Sequence, residues 1–180
     1  MQPDIPVIRM CLYGALTLFS FILFCLTAAR INYTNHIPKG DPLNRGRNFT
    51  DPVAGEILFT TLITMPWSIF MILCIHKRLE KPYFTFLYEI IGLAILWLFW
   101  IGGAAGATTP WGSLGWCQQF EACRILSALV AFAWLGWIVL TALLALTLLF
   151  TLANKSMHEQ LHGRWNPRES TYGPDMSSRA

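Results

Sequence analysis

Three groups of residues in this sequence are of types that do chemistry. Near the C-terminus, MHEQLHG places His158, Glu159 and His162 in the spacing HExxH. On a helix, histidines four apart share a face and can hold zinc, with the glutamate as base for the attacking water. In PWGSLGWCQQFEAC, Cys117 and Cys123 stand six positions apart. Such a pair is either a redox-active dithiol or a structural disulfide. Glu89 lies inside a long apolar run. An acid there is expensive and either finds a partner or serves as a proton or cation relay.

What these groups can do depends on the elements that carry them, and composition says what surrounds those elements. The chain has 180 residues, of which 54% are hydrophobic, 14% aromatic and only 13% charged. Ordinary globular proteins carry about 25% charged residues. A soluble core cannot use so much apolar surface, so the solvent is a bilayer. The net charge of +3 is small and no compact basic run occurs, which leaves nucleic-acid binding without support.

A spanning helix needs about 20 mainly apolar residues. Four segments qualify: 7–29, 53–75, 83–107 and 125–153. The fourth carries no charge, and at 1.5 Å per residue it is roughly 43 Å long, more than the roughly 30 Å hydrocarbon core requires. Backbone groups in lipid must be satisfied internally, so these segments are helices. Pro66 in the second predicts a bend, with nearby Thr and Ser hydroxyls covering the freed carbonyl. The fold class is therefore an all-α membrane protein, a four-transmembrane-helix bundle over 1–153. A polar tail follows over 154–180, with Pro, Gly and Ser and few apolar residues, which predicts disorder.

The first span is read as retained rather than cleaved: its lead has an acid and only one base, and its apolar run exceeds that of a signal peptide. An even number of spans puts both termini on one side. That side would hold Arg9, Lys77, Arg78, Lys81, Lys155, Arg164, Arg168 and Arg179, against Arg30, Lys39, Arg45, Arg47 and Arg124 on the other. The excess predicts both termini in the cytoplasm. The loop from about Arg30 to Pro52 then faces outside or lumen. It reads as irregular and holds two glycosylation sequons, at Asn32 and Asn48.

Glu89 shares a helix face with Gly92, Leu96, Phe99, Gly103 and Gly106, alternating by three and four. Small residues let membrane helices approach closely. The fourth span has a stripe at the same spacing, Ala128, Ala131, Leu135, Ile138, Ala142 and Ala145, and these two faces are expected to meet. By depth, Glu89 is level with Tyr13, Ser68 and Thr147, with Arg9 one turn shallower and able to reach toward it. A relay needs several polar groups in series. One acid predicts instead a protonated or hydrogen-bonded packing residue, with a small transporter or channel using Glu89 as the alternative.

The HExxH spacing lacks what a protease needs. A catalytic zinc takes a third protein ligand, and the rest of the tail offers only Glu169 and Asp175. No folded domain surrounds it to form a dry cleft. The expectation is a juxtamembrane amphipathic turn, with Leu161 and Trp165 at the headgroups; no enzyme, metal or cofactor is predicted. Cys117 and Cys123 fall on the oxidising side and lack the CxxC spacing of thiol oxidoreductases, so a disulfide is expected. Cys11 and Cys25 read as small buried hydrophobes. Cys74, at a membrane edge, is a palmitoylation candidate.

The residues ILWLFWIGGAAGAT and CRILSALVAFAWLGWIVLTALLAL resemble fungal members of the MARVEL family of four-span membrane proteins. The likeness centres on Cys123, Ala128, Ala131, Phe132, Ala133, Trp134, Leu135 and Trp137. The family has no catalytic set to carry over. The resemblance implies a scaffold for membrane apposition, vesicle traffic or lateral microdomains. Its partners would be lipids and other membrane proteins or further copies of itself, in plasma or secretory-pathway membranes. Claudin-like proteins also pair cysteines in a loop, but in their long first loop, not the last.

Overall fold

The computed structural model describes residues 5–36, 51–77, 85–111 and 121–154, with side chains omitted at Trp111, Glu121 and Ala122. They form four helices: α1 (Ile5–Asn35), α2 (Pro52–Lys77), α3 (Phe86–Trp111) and α4 (Glu121–Asn154). All four are long and apolar enough to cross a membrane. α2 runs unbroken through Pro66. The hydroxyls near it are spent on other carbonyls, Thr64 on Thr60 at 2.7 Å and Ser68 on Thr64 at 2.8 Å.

Each helix packs against two neighbours, α1 on α2 and α4, and α3 on α2 and α4. α1 and α3 are therefore diagonal. The direction of each helix follows from paired side chains. Gly92 of α3 lies against Trp67 of α2, and Gly106 against Val53, so α2 and α3 are antiparallel. Phe86 meets Phe150, and Trp97 meets Trp137, so α3 and α4 are antiparallel as well. The result is an up-down-up-down four-helix bundle.

The inward seams follow the alternation of three and four that brings one helix face to its partners. On α1 they are Arg9, Tyr13, Leu16, Ser20, Leu23, Thr27, Arg30 and Thr34. On α2 the hydroxyl residues Thr60, Thr61, Thr64 and Ser68 are buried. Large apolar residues point the other way: Leu98, Leu149 and Leu152 are more than 60% exposed. In water this would be inside out. In hydrocarbon it is the stable arrangement, because polar groups gather inward and apolar ones meet lipid. Ser20 and Thr27 bond the carbonyl one turn back, of Leu16 and Leu23, each at 2.7 Å, so the burial of these two hydroxyls leaves neither donor unmet.

Two expectations are corrected here. Arg30 to Asn35 is helical, not loop. These polar residues continue the α1 seam inward: Arg30 faces Asp51 at 3.9 Å, and Thr34 donates to the Ile31 carbonyl at 3.1 Å. The small-residue faces of α3 and α4 also do not meet. Gly92, Gly103 and Gly106 pack on Trp67, on Glu56 and Ile57, and on Val53, all from α2. Ala131, Leu135, Ile138, Ala142 and Ala145 lie on the exposed face of α4, and Ala128 is half-buried. The inward stripe of α4 is Leu126, Leu129, Ala133, Gly136, Leu140, Leu143 and Thr147. Only Gly136 opens that face to a large side chain, the Trp100 ring of α3.

Candidate functional site

Glu89 sits near the start of α3 and is 1% exposed. Both of its carboxylate oxygens are taken. The Arg9 guanidinium donates from Nη2 to Oε2, forming an ion pair across the diagonal of the bundle. The Tyr13 hydroxyl donates to Oε1 at 2.6 Å. Arg9 and Tyr13 are one turn apart on α1, so both reach one acceptor. The Arg9 guanidinium also lies over the Phe86 ring, 5.0 Å from its centroid, and Phe86 in turn meets Phe150 of α4 at 5.3 Å. The cluster is charge-balanced, with the cation desolvated against an aromatic face.

The depth reasoning that set Arg9 and Tyr13 beside Glu89 is thus met by direct bonds. Ser68 and Thr147 are buried too, but neither hydroxyl is bonded to Glu89: Ser68 donates to the Thr64 carbonyl, and the Thr147 hydroxyl has no hydrogen-bond partner among the described residues.

Above this cluster lies a set of indole-to-threonine bonds, absent from the sequence-based expectations. Trp100 donates to the Thr64 hydroxyl at 3.0 Å, joining α3 to α2. Trp97 donates to Thr141 at 2.9 Å, and Trp134 to Thr108 at 2.9 Å, joining α3 and α4 from both sides. A buried indole needs an acceptor, and threonine supplies one in mid-helix while its own proton goes to the turn behind it. The signal was present in the sequence: Thr60, Thr64 and Ser68 recur on one α2 face at the depth of the α3 tryptophans.

Each Glu89 oxygen already accepts one hydrogen bond, and the Arg9 charge is matched by the carboxylate. The other residues singled out by sequence are dispersed. Cys74 is 3% exposed and faces the core, and packing among helices counts against its expected attachment of a palmitoyl chain. Cys74→Ser should therefore leave the level of S-acylation unchanged in an acyl-exchange assay. Cys11 and Cys25, expected to be buried, are exposed on α1. Cys123 opens the α4 span half-buried. Its expected partner Cys117 lies outside the described residues, as do Asn48, His158, Glu159 and His162.

Asn32 is exposed but sits within α1. The hydroxyl of its sequon belongs to Thr34, which is 1% exposed and bonded to the Ile31 carbonyl. Glycan transfer requires an accessible surface segment, so Asn32→Gln should produce no gel shift and no change after glycosidase treatment.

The architecture defines a class, the multi-pass integral membrane protein built as an all-α bundle of four helices of spanning length. Compared with known proteins, the chain matches no family model, no curated protein and no solved structure.

Proposed function

We propose that this protein is a non-catalytic membrane organiser of the MARVEL type. It acts in membrane apposition, microdomain organisation or vesicle traffic, in the plasma membrane or the secretory pathway with both termini cytoplasmic. The observation that carries the reading is the closed state of Glu89, whose two oxygens are bound by Arg9 and Tyr13 within the packed core. An acid held this way locks helices together and offers no vacancy to a passing ion. A continuous aliphatic and aromatic exterior, including Phe21, Phe59, Phe70 and Phe99, supports lateral association with lipids and with other membrane proteins or further copies. A Cys117–Cys123 bridge belongs to the same reading, as a cap joining α3 to α4.

Imaging of a tagged copy, beside a deletion strain, tests it: the protein should concentrate in patches, and its loss should redistribute lipids or neighbouring membrane proteins. Reconstituted vesicles give the opposing result. Solute or proton flux that Glu89→Gln abolishes would replace the organiser with the small transporter or channel.

A further inference from the structure

The opposite half of the bundle holds a second acid in a different state. Glu56 is one turn into α2 and half-buried. Thr60 donates to its Oε1 at 3.0 Å. Its Oε2 is shielded from solvent and has no hydrogen-bond partner among the described residues. That oxygen rests on Gly103 of α3, where an added Cβ would collide with it. Gly103 lies in mid-helix, so its N–H is spent within α3 and offers the oxygen nothing.

Among the described residues no cation answers the charge. The side chains that close around Glu56 from other helices are Leu23 of α1, Phe99, Trp100 and Ala104 of α3, and Ala133 of α4, none of which titrates. The ionisable groups in this half of the bundle are Asp51 on α2, Cys25, Arg30, Tyr33 and His36 on α1, and Cys123 and Arg124 on α4; α3 has none here. None of them lines the space beside the carboxyl, and Arg30 faces Asp51. That space is about 10 Å³, room for about one water molecule and too little to hydrate an anion. A neutral carboxylic acid costs far less to shield there than a carboxylate. Glu56 also stands on the sparsest seam: of the four neighbouring helix pairs, α2 and α3 touch least.

We propose that Glu56 is a proton-binding latch on this seam, holding a proton in the closed bundle and loosening α2 from α3 when it gives the proton up. Its half-exposed side chain gives the proton a route in and out, which Glu89, 1% exposed and paired with Arg9, lacks. The latch goes beyond the organiser reading and does not depend on it. An unfolded glutamate is ionised at neutral pH, so folding with a neutral Glu56 takes up a proton, and stability falls as pH rises. The fall begins near the ordinary glutamate value of about 4.3 and ends once the folded acid is ionised too.

Two measurements on the purified full chain in detergent test this. Dicyclohexylcarbodiimide adds the O–H of a protonated carboxylic acid across one C=N bond, and rearrangement leaves an N-acylurea that has gained the whole reagent and lost nothing. At neutral pH, peptide mass spectrometry should find this label on Glu56 and not on Glu89, and alkaline pH should abolish it. In thermal unfolding, the parent midpoint should drop by several degrees between about pH 5 and about pH 9 relative to Glu56→Gln, which keeps an acceptor for Thr60 and cannot ionise. Hydrogen exchange of the two proteins, compared at one alkaline pH, should be faster in the parent around positions 56 and 103 and equal where α1 meets α4. An unlabelled Glu56 at neutral pH would overturn the latch, since the acid is then ionised in the closed bundle. So would a pH response that Glu56→Gln retains in full, or faster exchange spread evenly over all four helices.

Discussion

Replacing Glu89 with alanine is expected to destabilise the bundle by about 3–5 kcal/mol, the range for removing one partner of a buried ion pair. The loss is not the strength of the missing bond. It is the penalty of leaving the Arg9 guanidinium, 1% exposed, without its counter-charge between α1 and α3. The Tyr13 hydroxyl loses its acceptor at the same time, and an unsatisfied buried donor adds about 1–3 kcal/mol when nothing replaces it. Two controls separate charge from packing. Glu89→Gln keeps an acceptor for Tyr13 but not the charge, so it should fall between parent and alanine. The double variant Arg9→Met, Glu89→Leu removes both charges, and should recover most of the loss, because well-packed apolar residues often match or exceed a buried pair. Denaturant or thermal unfolding in detergent reads all four proteins. If the double variant is no more stable than Glu89→Ala, removing the second charge has recovered nothing and the structural role of the pair is refuted.

The membrane helices were legible because hydropathy is a property of a whole run and tolerates error at single residues. The Glu89 cluster was legible too, since depth along a helix is a matter of counting, and counting put Arg9 and Tyr13 at the right level. What sequence misjudged was rotation. The expected α4 stripe begins at Ala128 and the observed one at Leu126, both alternating by three and four. Two residues correspond to about 200° around a helix, so this small shift turns the stripe to the opposite face. Alanine commonly marks an interface between membrane helices, whereas here the inside is marked by hydroxyls. Thr147 and Thr151 lie on the inward stripe of α4, as Ser20 and Thr27 do on α1. A similar bias ended α1 too early: Arg30 and Thr34 look like loop residues until their spacing is set against the same seam.

Gly136→Ala is the second substitution with a large expected effect, and the size comes from what cannot move. A Cβ at this position would enter the six-membered ring of Trp100. That ring is 2% exposed and pinned at its other end by the bond from Nε1 to Thr64. Relieving the clash means shifting the indole away from α4, which breaks the bond to α2, or separating α3 from α4 over a turn or more. Overpacking of a dense core costs about 1–3 kcal/mol, and the lost hydrogen bond adds about 0.5–1.5 kcal/mol. Gly92→Ala makes the useful comparison. Its Cβ would meet the Trp67 ring as closely, but Trp67 is only half-buried, and its indole nitrogen has no hydrogen-bond partner among the described residues. Trp67 can swing toward lipid without giving up a bond, so Gly92→Ala should cost clearly less than Gly136→Ala. Trimming the obstacle supplies the rescue: Trp100→Leu should be destabilising alone, yet in that background Gly136→Ala should become nearly neutral. Equal costs for the two glycine substitutions in unfolding measurements, or no rescue by Trp100→Leu, would mean that the Trp100 ring does not fix the spacing of α3 and α4.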